Sequence, residues 1–121
     1  MSVIQQNFKS RREFRDFLNT HKDKLIIMKV YADWCSPCRA IQADVIRRFR
    51  SLKLPDDKKI LLELSKDDNP DVCSSMRIRA IPTIVSYIKG DPVEVHMGTD
   101  LNELDNFFIK SYDTYINEFK H

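Results

Sequence analysis

Two hydrophobic periods alternate along this chain, and their order predicts its architecture. Leu25 to Tyr31 reads Leu-Ile-Ile-Met-Lys-Val-Tyr, a near-continuous apolar run of the kind found in central strands buried on both faces. Ile60 to Leu64 is a second such run, and Ile84 to Ile88 a third. After a turn at Lys89-Gly90-Asp91-Pro92, Val93, Val95 and Met97 alternate as an edge strand. Val3 and Ile4 suggest a short first strand.

Helical spacing fills the intervals. Ser10 with Glu13 forms a capping box, followed by the stripe Phe14, Phe17 and Leu18. A long helix behind Trp34 to Cys38 carries Ile41, Val45, Phe49 and Leu52 inward and stops at Leu54-Pro55-Asp56-Asp57. Asn69-Pro70 reads as an N-cap with proline at the first helical position, opening a short helix with Val72 and Met76. Thr99 or Asp100 caps a last helix whose stripe is Leu101, Leu104, Phe108, Tyr112, Tyr115 and Phe119. The expectation is one α/β domain over residues 1–121: a mixed sheet of about five strands, flanked by about four helices.

Composition narrows the function classes. Apolar residues make up 42% and charged residues 31%, with a net charge of +2. That balance gives no reason to expect a nucleic-acid or anionic-membrane partner. No apolar run approaches the roughly 20 residues of a membrane span, and the first residues lack a signal-peptide pattern, so a cytoplasmic, reducing location is the expectation. With only two glycines, Gly90 and Gly98, a glycine-rich phosphate cradle is not available.

Three cysteines occur, and two of them, Cys35 and Cys38, are three apart where a helix begins. There the free backbone N–H groups and the positive end of the helix favour a thiolate at Cys35. Cys38, one turn further in and expected to be less exposed, can resolve a mixed disulfide formed on Cys35. Pro37 fits the first helical turn, where its missing N–H costs nothing. Zinc would need four ligands. The remaining candidates, Cys73, His21, His96 and His121, form no second close pair, so no metal is expected, and no organic cofactor is expected because the two sulfurs themselves carry the electrons. Cys73 reads as a small buried hydrophobe, and His96 as exposed on the edge strand. The cations Arg39, Arg47, Arg48, Arg50 and Lys53 read as a solvated face of the long helix.

Ala32-Asp33-Trp34-Cys35-Ser36-Pro37-Cys38-Arg39 resembles the thioredoxin family's Ala-x-Trp-Cys-Gly-Pro-Cys-Lys signature. Asp68-Asn69-Pro70 is similar to the segment before the family's third helix, and Arg77-Ile78-Arg79-Ala80-Ile81-Pro82-Thr83 resembles its cis-proline loop. The likeness spans roughly residues 3 to 115. It implies the thioredoxin fold and a protein-disulfide reductase. Cys35 would then be the nucleophile, Cys38 the resolving thiol and Pro82 a cis-proline beside them. The Ile81 backbone would bind an extended substrate. Trp34, Ile81 and Gly98 would floor the substrate groove, with Ser36 and Pro37 at its edge. The implied partners are disulfide-containing proteins and a thioredoxin reductase or other dithiol donor, with the chain acting as a monomer.

The sequence departs from the family pattern at two kinds of position. Ser36 replaces the usual glycine. Lys29 stands where the family usually has a buried Asp, and Glu63 where it often has a Lys, which suggests a reversed pair. If paired, Glu63 is the candidate proton acceptor for Cys38 and Lys29 favours its thiolate by charge; otherwise both side chains snorkel to solvent. A thioredoxin-like interaction module and a disulfide isomerase or oxidase remain as alternative functions.

Overall fold

The computed structural model describes residues 3–120. Its five strands are β1 (Val3–Gln5), β2 (Leu25–Tyr31), β3 (Lys59–Ser65), β4 (Thr83–Ile88) and β5 (Asp91–Met97). They form one sheet in the order β1-β3-β2-β4-β5. β1 and β2 run parallel to β3, whereas β4 is antiparallel to both β2 and β5. The apolar runs predicted as central strands occupy the middle of this mixed sheet.

The strands' two faces feed two cores. Ile26, Met28, Val30, Leu62, Leu64, Val85 and Tyr87 pack beneath α1 (Arg11–Thr20) and α4 (Pro70–Ser75). Leu25, Ile27, Leu61, Ile84 and Ile88 face α3 (Gln42–Ser51) and α5 (Leu101–Glu118). Each fully buried aliphatic side chain contributes about 1.5–3 kcal/mol, so the central strands anchor the fold. The predicted caps form at Ser10, whose Oγ accepts from the Glu13 N–H at 3.2 Å, and at Asp100, whose carboxylate accepts from the Glu103 N–H at 2.9 Å.

Four local readings change. The long helix after Cys35 is two helices, α2 (Ser36–Ala40) and α3, which brings the total to five α-helices. At the break, the Cys38 carbonyl, which an unbroken helix would offer to the Gln42 N–H, accepts from the buried Lys29 ammonium at 2.9 Å. A side chain entering the hydrogen-bond ladder is a known cause of such breaks. Asn69 is the residue before α4, but its side chain does not cap that helix. Its Oδ1 accepts from the Phe8 N–H at 2.6 Å, and its Nδ2 donates to the Ser65 carbonyl at 2.8 Å. Asn69 therefore ties the N-terminal segment to the end of β3. The last helix buries Phe107 and Ser111 and leaves Leu101 exposed, a stripe rotated from the predicted one.

His96 is the fourth correction. It is buried on β5, 6.4 Å edge-on from Phe107, with Nε2 3.1 Å from the Gly98 carbonyl. The α5 helix lies on that face of the edge strand, so it covers the polar alternate and leaves Val95 and Met97 exposed.

Candidate active site

β2 delivers the chain to the site. Past Tyr31, the buried Ala32 starts a tight turn in which the Cys35 N–H donates to the Ala32 carbonyl at 3.1 Å. The Arg39 guanidinium donates to the Asp33 carbonyl at 2.5 Å and closes the turn from the helix side. Trp34 projects outward, 67% exposed, and its indole Nε1 donates to Asp67 at 2.9 Å. That bond fixes the ring over the loop after β3.

Cys35 and Cys38 are joined as a disulfide with their Cα atoms 5.3 Å apart. Cys35 is the N-cap of α2, and its Sγ accepts from the Cys38 N–H at 3.2 Å. The expected contrast in exposure is absent in this oxidised form: both side chains are buried, because Ala32, Ile81 and Tyr31 pack around the pair. Ser36 and Pro37 are exposed beside it. The Ile81–Pro82 peptide bond is cis. The Gly98 N–H donates to the Pro82 carbonyl at 3.1 Å, with Gly98 at φ +91°, a conformation that favours glycine.

Beneath Cys38 lies a chain of buried polar groups. Lys29 and Glu63 sit opposite each other in the β2–β3 register, yet they make no direct ion pair. Gln42 stands between them. The Lys29 ammonium donates to the Gln42 Oε1, and the Gln42 Nε2 donates to Glu63. The other Glu63 oxygen accepts from Gln5 Nε2 at 3.1 Å. Lys29 is only 3% exposed, so neither side chain arrangement predicted from the sequence is the observed one: the pair is bridged, and Lys29 does not snorkel. Burial pushes the Lys29 pKa down, opposed by the nearby Glu63 charge. A cleft of about 360 Å³ opens on this group and is lined by Lys29, Cys38, Gln42 and Glu63.

Gln42, Gln5 and Asp67 were not among the predicted site residues. Gln42 had a findable signal: it is four residues after Cys38, the spacing that shares a helix face. Gln5 lies opposite Glu63 in the β1–β3 register, but the short β1 pattern was too weak to set that register in advance. Cys73 is buried, and burial pushes its thiol pKa up. Among the described residues no three His, Cys, Asp or Glu side chains gather as a metal set. His121 lies outside the described residues.

A family model described as Thioredoxin matches residues 5–110. This chain belongs to the thioredoxin family. Human thioredoxin is 30% identical over 100 residues, covering 83% of this chain and 91% of that protein. The Nicotiana alata thioredoxin structure superposes with a TM-score of 0.72 at 27% identity, covering 91% of this chain and 92% of that one. The Fasciola hepatica thioredoxin structure, at 22% identity, shares the fold with a TM-score of 0.73, over 92% of this chain and 99% of that one. This thioredoxin-family chain is a thiol–disulfide oxidoreductase, a protein-disulfide reductase built on the Cys35–Cys38 pair. No helix among its described residues is long and apolar enough to cross a membrane.

Proposed function

We propose that Cys35 is the attacking sulfur, Cys38 the resolving one, and the Lys29–Gln42–Glu63 chain the device that readies Cys38. The observation that carries this reading is the convergence of the Cys38 carbonyl, a buried ammonium and a relayed carboxylate on one cleft. The reduced Cys35 thiolate attacks one sulfur of a substrate disulfide, and the other substrate sulfur leaves as a thiolate that takes up a proton. Cys38 then gives its proton to Glu63 across the cleft, which has room for a bridging water. The Cys38 thiolate attacks the Cys35 Sγ, and the Cys35–Cys38 disulfide forms as the bond from Cys35 to substrate breaks. The second substrate sulfur leaves as a thiolate that takes up a proton, while Glu63 returns its own to solvent. Two electrons have moved to substrate, and a thioredoxin reductase or other dithiol donor restores them.

Each remaining site residue has a place in this sequence. The Cys38 N–H, 3.2 Å from the Cys35 Sγ, stabilises the Cys35 thiolate as a charge-assisted donor. Lys29, next to Cys38, favours its thiolate through charge. Ile81, on the cis bond against the sulfurs, offers backbone groups to an extended substrate, with Pro82 holding that backbone in place. Trp34, Ser36, Pro37 and Gly98 form the surface that meets it. The proposed partners are disulfide-bearing proteins, met by a monomer in a reducing cytoplasm; the burial of Cys73 keeps that thiol away from intermolecular pairing.

The test is insulin-disulfide reduction with a dithiol donor. Cys35→Ser abolishes turnover. Glu63→Gln and Lys29→Met each slow resolution of the mixed disulfide, and the double variant slows it less than their sum. Strict additivity removes the Lys29–Glu63 unit from the mechanism while leaving the dithiol chemistry in place.

A further inference from the structure

The edge strand presents an apolar face to open space. Val95 and Met97 are 59% and 64% exposed, on the side of the sheet that α1 and α4 cover over the central strands. Next to β5 this side is left as a groove of about 900 Å³ between α1, the 76–80 loop and the β4–β5 hairpin. Met76 and Ile78, both half-buried, continue its apolar floor.

Six exposed cations line the groove: Arg11, Arg15, Lys22, Arg77, Arg79 and Lys89. Asp91 is the one carboxylate among its lining residues. Lys89 reaches Glu118 at 3.2 Å, while the other five have no salt bridge among the described residues. Elsewhere some cations are paired, Arg47 and Arg48 with Asp44, Arg48 with Asp105, and Lys24 and Lys58 with Asp23, while others, Lys9, Arg12 and Lys110 among them, also have no salt bridge among the described residues. With six cations against one carboxylate, the groove is strongly positive on a molecule whose net charge is only +2.

One end of the groove flanks the cis-proline loop, whose Ile81 packs against the sulfurs. Its lining includes Ala80 and Thr83, on either side of Ile81–Pro82. Met97 is opposite Thr83 in the β4–β5 register, and the next residue, Gly98, donates to the Pro82 carbonyl. A segment lying in the groove therefore arrives at Ile81–Pro82, the loop that packs against the sulfurs. The groove's two aromatic side chains, Phe14 and Tyr87, are buried, so nucleic-acid bases would find no ring to stack on. Exposed Val and Met between cations instead match an acidic polypeptide with interspersed apolar side chains.

We propose that this groove docks an acidic, apolar-containing segment flanking the disulfide of the protein that the chain reduces. This rests on the reductase reading above and adds the substrate class to it.

Two synthetic peptides with the same disulfide loop test it, one flanked by alternating Glu and Leu, the other by alternating Ser and Leu. The wild-type chain reduces the Glu–Leu peptide with the lower KM, and rising salt erodes that advantage. In Arg11→Glu/Arg15→Glu/Arg79→Glu the ratio of the two kcat/KM values falls about tenfold; Arg11→Glu/Arg15→Glu alone gives a smaller fall in the same direction. Equal KM values in the wild type, or an advantage that survives charge reversal, overturn the proposal. A second arm needs no turnover: fluorescence anisotropy of a cysteine-free Glu–Leu peptide with Cys35→Ser/Cys38→Ser. Binding there without reduction of either peptide sinks the reductase reading and keeps the groove. Reduction without binding or preference sinks the groove alone. A thymidine oligonucleotide that displaces the peptide at lower concentration than unlabelled peptide also overturns the proposal.

Discussion

Among the described residues two lysines are buried, Lys29 and Lys59, and they stand in opposite kinds of surroundings. Lys59, at the start of β3, donates to the carbonyls of Phe49, Arg50 and Leu52 at 3.1, 3.3 and 3.1 Å. An ammonium has three donors, and all three are used on carbonyls at the end of α3, two of which, those of Phe49 and Leu52, also accept a backbone N–H. Lys29, on β2, also meets a helix carbonyl, that of Cys38. Its second acceptor, however, is the Gln42 amide, which passes the interaction on to Glu63, and the group faces a cleft. The closed site terminates a helix. The open site interrupts one just behind a redox sulfur and leaves a donor and a carboxylate free to respond to it. Burial of a charge by itself therefore does not mark function here; an incompletely used donor set beside a cleft does.

The largest expected effect breaks the closed site. Lys59→Met removes three hydrogen bonds from a charged donor, each worth about 1.5–3 kcal/mol at most, while the Phe49 and Leu52 carbonyls keep their backbone donors and soften the loss. We expect a net loss of roughly 2–3 kcal/mol in urea unfolding, with turnover of the folded protein unchanged. If Lys59→Met slowed disulfide reduction as much as Lys29→Met does, the distinction between the two lysines would be lost.

Gln42→Leu sharpens the same comparison at the open site. It keeps the volume but cuts the relay between ammonium and carboxylate. We expect resolution of the mixed disulfide to slow by up to about tenfold, the scale of one general acid–base contact weakened but not removed, with stability changed by about 1 kcal/mol. Combining it with Glu63→Gln should add little, because both act on one path. Stopped-flow decay of a mixed disulfide to a chromogenic thiol reads the step directly. Independent, multiplying effects would mean that Gln42 acts through packing.

The sequence disclosed the scaffold and the sulfurs more fully than what supports them. Continuous apolar runs marked the central strands because burial on both faces tolerates little polarity, and Cys35, Cys38 and Pro82 were marked by local motifs. The Lys29–Glu63 relation was half legible: the strand register places the two opposite each other, but the gap between them is filled from α3. Gln42 gets there because Lys29 itself breaks the helix, a tertiary event with no proline or glycine to announce it. His96 failed for a related reason. Alternation along β5 distinguishes two faces but does not say which one α5 will cover, and the helix covers the polar one. The cations of the groove come from α1 and the turn after it, the loop after α4 and the hairpin, segments that only folding brings together.

The smallest effect is a pH dependence that belongs to Lys29. Burial lowers its pKa below the ordinary 10.5, so the unfolded chain binds this proton more tightly than the folded one. Between the folded pKa and 10.5 the unfolded state carries more protons, and stability rises with pH there. The cost of the buried charge is fully present below the folded pKa and lifts as the ammonium deprotonates. Lys29→Met has no such group. Comparing the two proteins cancels the other titrating lysines and tyrosines. The stability difference should move in favour of the wild type as the pH rises from the folded pKa toward 10.5, by a fraction of the Lys59→Met effect. Chemical unfolding at several pH values measures it. A difference that stays flat would mean that the Gln42 and Cys38 acceptors, with Glu63 behind them, offset the burial fully, and the open site would be as well satisfied electrostatically as the closed one.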